Sequence, residues 1–431
     1  MRLKNVGPAA EMELEFGSRL NLITGDNGLG KSFILDVAWW ALTRKWPQDL
    51  NSKLTSGYAA RPSDPKKIAT IEFGVDSKTK SVKYLSTYNP RDEAWVGKAG
   101  RPWNPGLVIY AHADGAFSVW DPARNYWKTK GDIDIQERLP SFVLSPKEVW
   151  DGLKVETGGV ETVVCNGLLV DWANWIREAG ELSKQMNAML RSLSPSTHQR
   201  DRLAPGDLVQ MSVGDTRKIP SLNTSYARSI PILKASAGVK RIVALCYMLL
   251  WARSENLSAA KLLGEKRANR VIFLIDELES HLHPKWQRSI LGSLLRLSAQ
   301  MHSSARLQII AATHSPLVLA SAEPTFDEST DAWFDLDLSD AVHGCAVGLR
   351  KRDFVRLGDV TNWLQSVAFD LKEARSLESE AAISFALELV RSPKPEKADI
   401  ERADRMLRGS LSDIDRFWVR WSEWKAHRVA K

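Results

Sequence analysis

The chain has 431 residues, 44% of them hydrophobic and 26% charged, which leaves room for two or three domains and excludes a chain disordered throughout. Its longest apolar stretch, Ile242 to Ala252, falls well short of the roughly 20 residues that cross a bilayer and reads as a buried helix, so no membrane partner is expected. The formal charge of +7 makes nucleic acid a candidate partner, because neutralising phosphates releases counterions. The basic residues nevertheless fall in small groups that solvated faces also explain: Lys78, Lys80 and Lys83; Lys261, Lys266, Arg267 and Arg270; Arg350, Lys351, Arg352 and Arg356. No leading segment has the layout of a signal peptide, and the cytoplasm is the expected location. Cys165, Cys246 and Cys345 lie far apart with no C-x-x-C pair, so neither a disulfide framework nor a zinc site is expected.

In chain order, Met12, Leu14 and Phe16 alternate with Glu11, Glu13 and Glu15 as in a strand, and the apolar run Leu20, Leu22 and Ile23 follows. A Gly-rich turn then leads into a helical pattern through Phe33, Ile34, Leu35, Val37 and Ala38. Residues 48–145 are punctuated by Pro and Gly, with β-like runs at 69–75, 81–87, 107–111 and 117–120, and are expected to form a β-rich subdomain. Ser145-Pro146 is expected to open a helical arm, 146–229, that includes residues 168–193, ends its helical part near Ser194-Pro195 and carries a short β segment over 207–219. An apolar helix from Val239, a strand at 271–275, a helix at 284–299 and a strand at 307–312 complete a core assembled from 1–47 and 230–350. A charged helical region, 351–431, is expected beyond it, with no internal repeat and no sustained heptads.

Gly25-Asp26-Asn27-Gly28-Leu29-Gly30-Lys31-Ser32 fits G-x-x-x-x-G-K-[ST], the phosphate-binding P-loop, and lies between a strand and a helix as that loop requires. Gly25, Asn27, Gly28 and Gly30 let backbone N–H groups turn inward around phosphates, Lys31 reaches the β and γ oxygens, and Ser32 offers its hydroxyl to Mg²⁺. Asp276 and Glu277 end the 271–275 strand, where a carboxylate meets the metal of a P-loop on a neighbouring strand. Asp276 is the candidate Mg²⁺ ligand and Glu277 the candidate general base for the attacking water. His314, in Thr313-His314-Ser315-Pro316 at the end of the next strand, is placed to contact the γ-phosphate.

These motifs, with Ser236-Ala237-Gly238 opening an apolar helix, resemble the ABC-type ATPases of the SMC, RecF and OLD lineage. Within that lineage the chain is most similar to the stand-alone ATPases of bacterial anti-phage systems. The resemblance covers 1–47 and 230–320 firmly and implies an α/β P-loop NTPase core with a mixed β-sheet. It also implies ATP and Mg²⁺ as cofactors, and Asp276, Glu277 and His314 as the metal, catalytic and switch residues. Ser236 and Gly238 match the signature loop that reaches the nucleotide of another subunit, which implies a homodimer or a higher even-numbered homo-oligomer beside a separate effector protein. Ser-Ala-Gly-Val-Lys departs from the fuller Ser-Gly-Gly-Gln signature, and no clear glutamine stands for the metal-sensing loop. Gln136 and the Ser145-Pro146 turn are the candidates for it.

Four further features carry competing readings. His281 and His283 suit no zinc pattern and are expected to shape an interface. Asp335-Leu336-Asp337 resembles the D-x-D of a nuclease domain, yet an exposed loop is the expected reading. Trp418, Trp421 and Trp424 form a stripe among Arg416, Arg420, Lys425 and Arg428 that packs against protein or stacks on bases. Besides the defence ATPase, a RecF-like ATPase that binds DNA gaps or breaks is the alternative function.

Overall fold

Strands that are apolar without alternation need cover on both faces, and the runs at 20–25, 107–111, 270–275 and 306–312 meet that need in one parallel sheet. The computed structural model describes residues 1–429 except 77–80, 98–102, 131–132, 139, 158, 196–197, 199–201, 226, 302–305 and 342–343. Lys78 and Lys80 therefore lie outside the described residues, as do the side chains of Cys345 and Arg428. The chain divides into two units, Met1–Gly358 and Asp359–Lys431.

In the first unit five parallel strands lie in the order Leu107–Ala111, Arg270–Ile275, Arg306–Ala312, Leu20–Gly25 and Asp331–Ala341. Antiparallel Phe117–Trp120 and then Ser141–Leu144 extend one edge, and Gly344–Arg352 closes the other. A second, antiparallel sheet runs Glu11–Glu13, Arg2–Lys4, Thr70–Asp76, Ser81–Asn89 and Ala94–Gly97. The helix Lys31–Thr43 shares one apolar core with both sheets, in which Leu3, Met12, Ile71 and Phe73 from one join Ile23, Val108, Ile272 and Ile310 from the other. That position explains a sequence apolar around the whole helix, including the buried Trp39 and Trp40. Arg44 closes the helix in the left-handed conformation, and its guanidinium lies 5.0, 4.3 and 5.1 Å from the ring centres of Trp40, Phe73 and Tyr84.

The structure redraws the expected 48–145 subdomain. Its strands at 70–97 belong to the antiparallel sheet, whereas those at 107–111, 117–120 and 141–144 belong to the main sheet. Leu107–Ala111 is buried at every residue, a pattern of a central strand. The expected arm is also interrupted. Pro146–Asp151 is one short helix, and the hairpin Leu153–Thr157 with Val160–Cys165 precedes the helices. The residues expected to be helical over 168–193 form two helices, Leu168–Glu178 and Glu181–Ser192, separated where Ala179 turns left-handed before Gly180.

The second unit packs the helices Leu377–Arg391, Lys397–Ser410 and Phe417–Val429 around Ile383, Ala386, Ala403, Leu407 and Trp421. Trp421 is buried, stacks on Trp424 at 5.1 Å and donates its indole N–H to Asp404 at 2.9 Å. Trp418 donates to the Ser412 carbonyl at 2.8 Å. The tryptophan stripe is thus engaged in packing within its own unit, the first of its two readings.

Candidate active site at the ends of the parallel strands

The carboxyl ends of the parallel strands bring distant residues together because the strands are in register. The N–H of Asp276 donates to Ala111, that of Leu278 to Ala312 and that of Thr313 to Ile23, at 2.9, 3.1 and 3.0 Å. These bonds place residues 25–32, 276–279 and 313–314 along one rim, where α/β folds collect their ligands.

The 25–32 loop leaves its strand at Gly25, whose φ of 137° disfavours any other residue, and a Cβ there would lie 2.4 Å from the Leu336 carbonyl oxygen. Gly28 and Gly30 are also left-handed, Asn27 and Gly28 are exposed, and Gly30 stands at the N-terminus of the helix Lys31–Thr43. Lys31 is buried and donates from Nζ to the carbonyls of Gly25 and Asp26, each at 2.7 Å. Burial lowers its pKa first, against the pull of Asp276 and Asp26.

The exposed hydroxyl of Ser32 is hydrogen-bonded to the buried Asp276, whose carboxyl is pushed up chiefly by burial. Glu277 follows in the left-handed conformation, φ 46°, uncommon for a residue with a side chain. His314 sits half-buried beside Lys31 and Gly25. Burial, and then the Lys31 cation, hold its pKa below the ordinary value, so the ring is neutral at pH 7.

Two residues outside the sequence motifs organise this rim. Glu279 accepts from Thr313 Oγ1 at 2.6 Å and from the His314 backbone N–H, so its carboxylate fixes the turn that presents the His314 ring. Arg241, buried in the helix Ala237–Leu263, donates to the carbonyls of His112 at 2.7 Å and Asp276 at 3.1 Å. It ties the acidic strand end to the helix that begins beside Ser236. The spacing Asp276-Glu277-x-Glu279 was the available signal for the first. No local signal marked Arg241, whose partners are backbone carbonyls 129 and 35 residues away.

Ser236 is exposed and caps its helix by accepting from the Val239 N–H. Gly238 packs on the turn after Glu277, where a Cβ would lie 2.5 Å from the His281 carbonyl oxygen. The contacts of Ser236 and Gly238 thus run to Val239 and His281 rather than to the 25–32 loop of the same chain. His283 Nδ1 accepts from the Lys285 N–H at the start of the next helix. Among the described residues no group of three or more His, Cys, Asp or Glu side chains could hold a metal.

Three expectations need revision or placement. Asp335 and Asp337 lie in the strand Asp331–Ala341, not in an exposed loop. Asp335 is fully buried, accepts from Thr24 Oγ1 at 2.8 Å and pairs with Arg352 at 3.2 Å, which leaves no open carboxylate pair for a metal. Gln136 lies in a two-stranded ladder and donates to Asn125 at 2.9 Å. Ser145 caps a helix in a reciprocal pair with Glu148. The residue at the end of the strand beside Asp276 is instead His112, buried, its ring tilted against that of Tyr110 with centres 3.9 Å apart and bonded to Ser118 at 2.8 Å.

The chain is 30% identical over 119 residues to a protein of Vibrio cholerae serotype O1 biovar El Tor named "Retron Vc95 probable ATPase". That match spans 27% of this chain and 21% of the relative. Among solved structures, a crystal structure of an SMC head bound to the C-winged helix domain of ScpA aligns at TM-score 0.39 and 14% identity, over 81% of this chain and 96% of that one. Among the described residues no helix is long and apolar enough to cross a membrane. A family model described as "AAA domain, putative AbiEii toxin, Type IV TA system" matches residues 20–320, well over half the chain and all of the rim just described. The chain has the P-loop NTPase fold and belongs to the family of that description, AAA_21.

Proposed function

We propose that the chain is a Mg²⁺-dependent ATPase that closes as a homodimer, or a higher even-numbered homo-oligomer, around ATP. Its nucleotide state then controls a separate effector protein, a nuclease, in a bacterial anti-phage defence system. The observation that carries this reading is the convergence of Lys31, Ser32, Asp276, Glu277 and His314 at neighbouring strand ends.

The oxygen donors of Ser32 and Asp276 suit a hard cation such as Mg²⁺, which takes few protein ligands and fills its remaining positions with phosphate and water. ATP, when bound, supplies the phosphoanhydride bond that is cleaved. Backbone N–H groups of 25–32 and the Lys31 ammonium bind its phosphates. Glu277 takes the proton of the attacking water, and the neutral His314 donates a hydrogen bond towards the γ-phosphate. The exposed Ser236 is available to the nucleotide of a second copy, and the buried Gly238 lets the start of its helix lie close on the His281 turn. A relative named for a retron, and a family description naming a toxin–antitoxin system, support action through a second component.

The test is the mass of wild-type and Glu277→Gln protein by light scattering, with and without ATP and Mg²⁺, alongside phosphate release. The expected outcome is loss of turnover with accumulation of an ATP-dependent dimer or larger even-numbered assembly. Turnover that survives, with a mass indifferent to nucleotide, removes Glu277 from the assigned role.

The second reading is a DNA-repair ATPase acting at gaps or breaks, favoured by the net charge of +7. Tight, salt-sensitive DNA binding by the isolated protein supports it, and stable co-purification with the product of a neighbouring gene supports the defence system.

A further inference from the structure

The opposite end of the parallel strands carries a group of residues that the proposed chemistry does not use. A cavity of about 280 Å³ opens there, lined by Trp103, Asn104, Asn256, Lys266, Arg267 and Arg270 among others. Its loop, 264–270, is built rather than loose. Gly264 turns left-handed to end the helix Ala237–Leu263, and the Glu265 N–H returns to the Ala260 carbonyl at 2.8 Å. Asn256, buried inside that helix, accepts from the Ala268 N–H at 3.0 Å and donates to Asp121 at 2.6 Å.

The chemistry of the cavity is cationic and aromatic. The Arg270 guanidinium lies 4.6 Å from the ring centre of Trp103. Arg270 and Arg306 are register partners on adjacent parallel strands, so a fourth cation continues the line beyond the cavity. Among the described residues no carboxylate lies within ion-pair distance of Lys266, Arg267, Arg270 or Arg306. Elsewhere in the same unit Arg19, Arg124 and Arg352 are each paired with a buried aspartate. Among the described lining residues Glu265 is the one acid, against three cations. Burial lowers the pKa of the neighbouring Arg253, and the Arg267 charge lowers it further, so the positive charge of the cavity extends to its surroundings.

Cations held together by a fixed loop repel one another until an anion joins them, and an arginine fork beside an indole suits a phosphate carrying a planar base. We propose that this cavity binds one nucleotide unit of a single-stranded nucleic acid, its phosphate on Lys266, Arg267 and Arg270 and its base beside Trp103. Arg306 receives the next phosphate. A free nucleotide offers the same phosphate and base, but the line from Arg267 through Arg270 to Arg306 extends past one such unit and favours a strand. Six residues of strand, about 20 Å, separate Arg270 from Asp276, so the site is independent of the rim that serves ATP.

The experiment is fluorescence anisotropy of end-labelled 12-nucleotide DNA and RNA on the full chain between 50 and 200 mM NaCl, with unlabelled AMP as competitor. The double variant Lys266→Glu, Arg267→Glu is expected to bind at least about tenfold more weakly, with a salt slope smaller by about 0.7 for each phosphate that is no longer neutralised. Its ATP turnover is expected to stay within about twofold of wild type, since neither residue belongs to the rim. Trp103→Ala is expected to weaken binding by about tenfold with the salt slope unchanged, which a purely electrostatic surface does not do. Displacement of the oligonucleotide by micromolar AMP keeps the site and assigns it to the free nucleotide. Failure of wild type to bind either oligonucleotide or AMP overturns the proposal, and so does a charge-reversed variant that binds within twofold of wild type.

Discussion

The two ends of the parallel strands place their charges in opposite ways. At the carboxyl end Lys31 is held by the carbonyls of Gly25 and Asp26, Asp276 is held through its carbonyl by Arg241, and Glu279 is held by Thr313 and the His314 N–H, so each is fixed by partners within the protein. At the amino end Lys266, Arg267, Arg270 and Arg306 share a strand edge and a loop, and among the described residues none of them forms an ion pair. Buried charge must be matched within the protein, whereas charge at a wet edge can wait for a partner from outside. One end is therefore built for positioning and the other for capture.

The largest expected effect on this contrast comes from Lys31→Ala. It removes the buried ammonium and is expected to lower phosphate release about 10²- to 10³-fold, while leaving oligonucleotide binding at the other end unchanged. Loss of both activities would show that the two ends do not work separately.

Glu279→Gln is expected to act next most strongly. It weakens the grip on the Thr313–His314 turn without touching the phosphate loop, so kcat should fall about 10- to 100-fold with KM nearly constant. A KM that rises in step with the loss of kcat would mean that Glu279 serves binding rather than His314.

A third effect falls on stability rather than on turnover. Asp36, buried in the helix that follows the phosphate loop and accepting from the Tyr110 hydroxyl at 3.0 Å, is pushed up to about 7, chiefly by burial. A carboxyl with a raised pKa keeps its proton in the folded state after the unfolded chain has released it. Its contribution therefore falls as pH rises from about 4 to 7. Asp36→Asn keeps the acceptor for Tyr110 and removes the titration, so it should flatten that decline by on the order of 4 kcal/mol at most. Denaturant unfolding at pH 5 and pH 8 measures it, and equal gains at both pH values would exclude Asp36 as the cause.

The phosphate loop, the acidic strand end and His314 were legible because each is a short run of residues whose spacing is set by one turn of backbone. The strand carrying Asp335 was not. A buried strand is recognised by unbroken apolar character, and Asp335 interrupts it; its burial is made tolerable by Thr24, 311 positions away, and by Arg352. Leu107–Ala111 was recognised as a strand but given to the wrong sheet, since its partners Val271–Ile275 are remote in the chain and apolar character does not name a neighbour. Glu279 and Arg241 bond largely to backbone, which any sequence offers equally, so their roles were visible only in three dimensions.

The helix Ala237–Leu263 spans 27 residues, about 40 Å, and is fastened along its length. Arg241 grips the acidic strand end, Tyr247 donates to Asp171 at 2.9 Å, and Asn256 holds the loop of the cationic cavity. A stiff rod pinned at three stations cannot slide by even one residue, about 1.5 Å, without changing all three sets of bonds together. The helix thus acts as a spacer that keeps the loop of the cavity and the acidic strand end at a fixed separation, about 22 Å along its axis from Arg241 to Asn256.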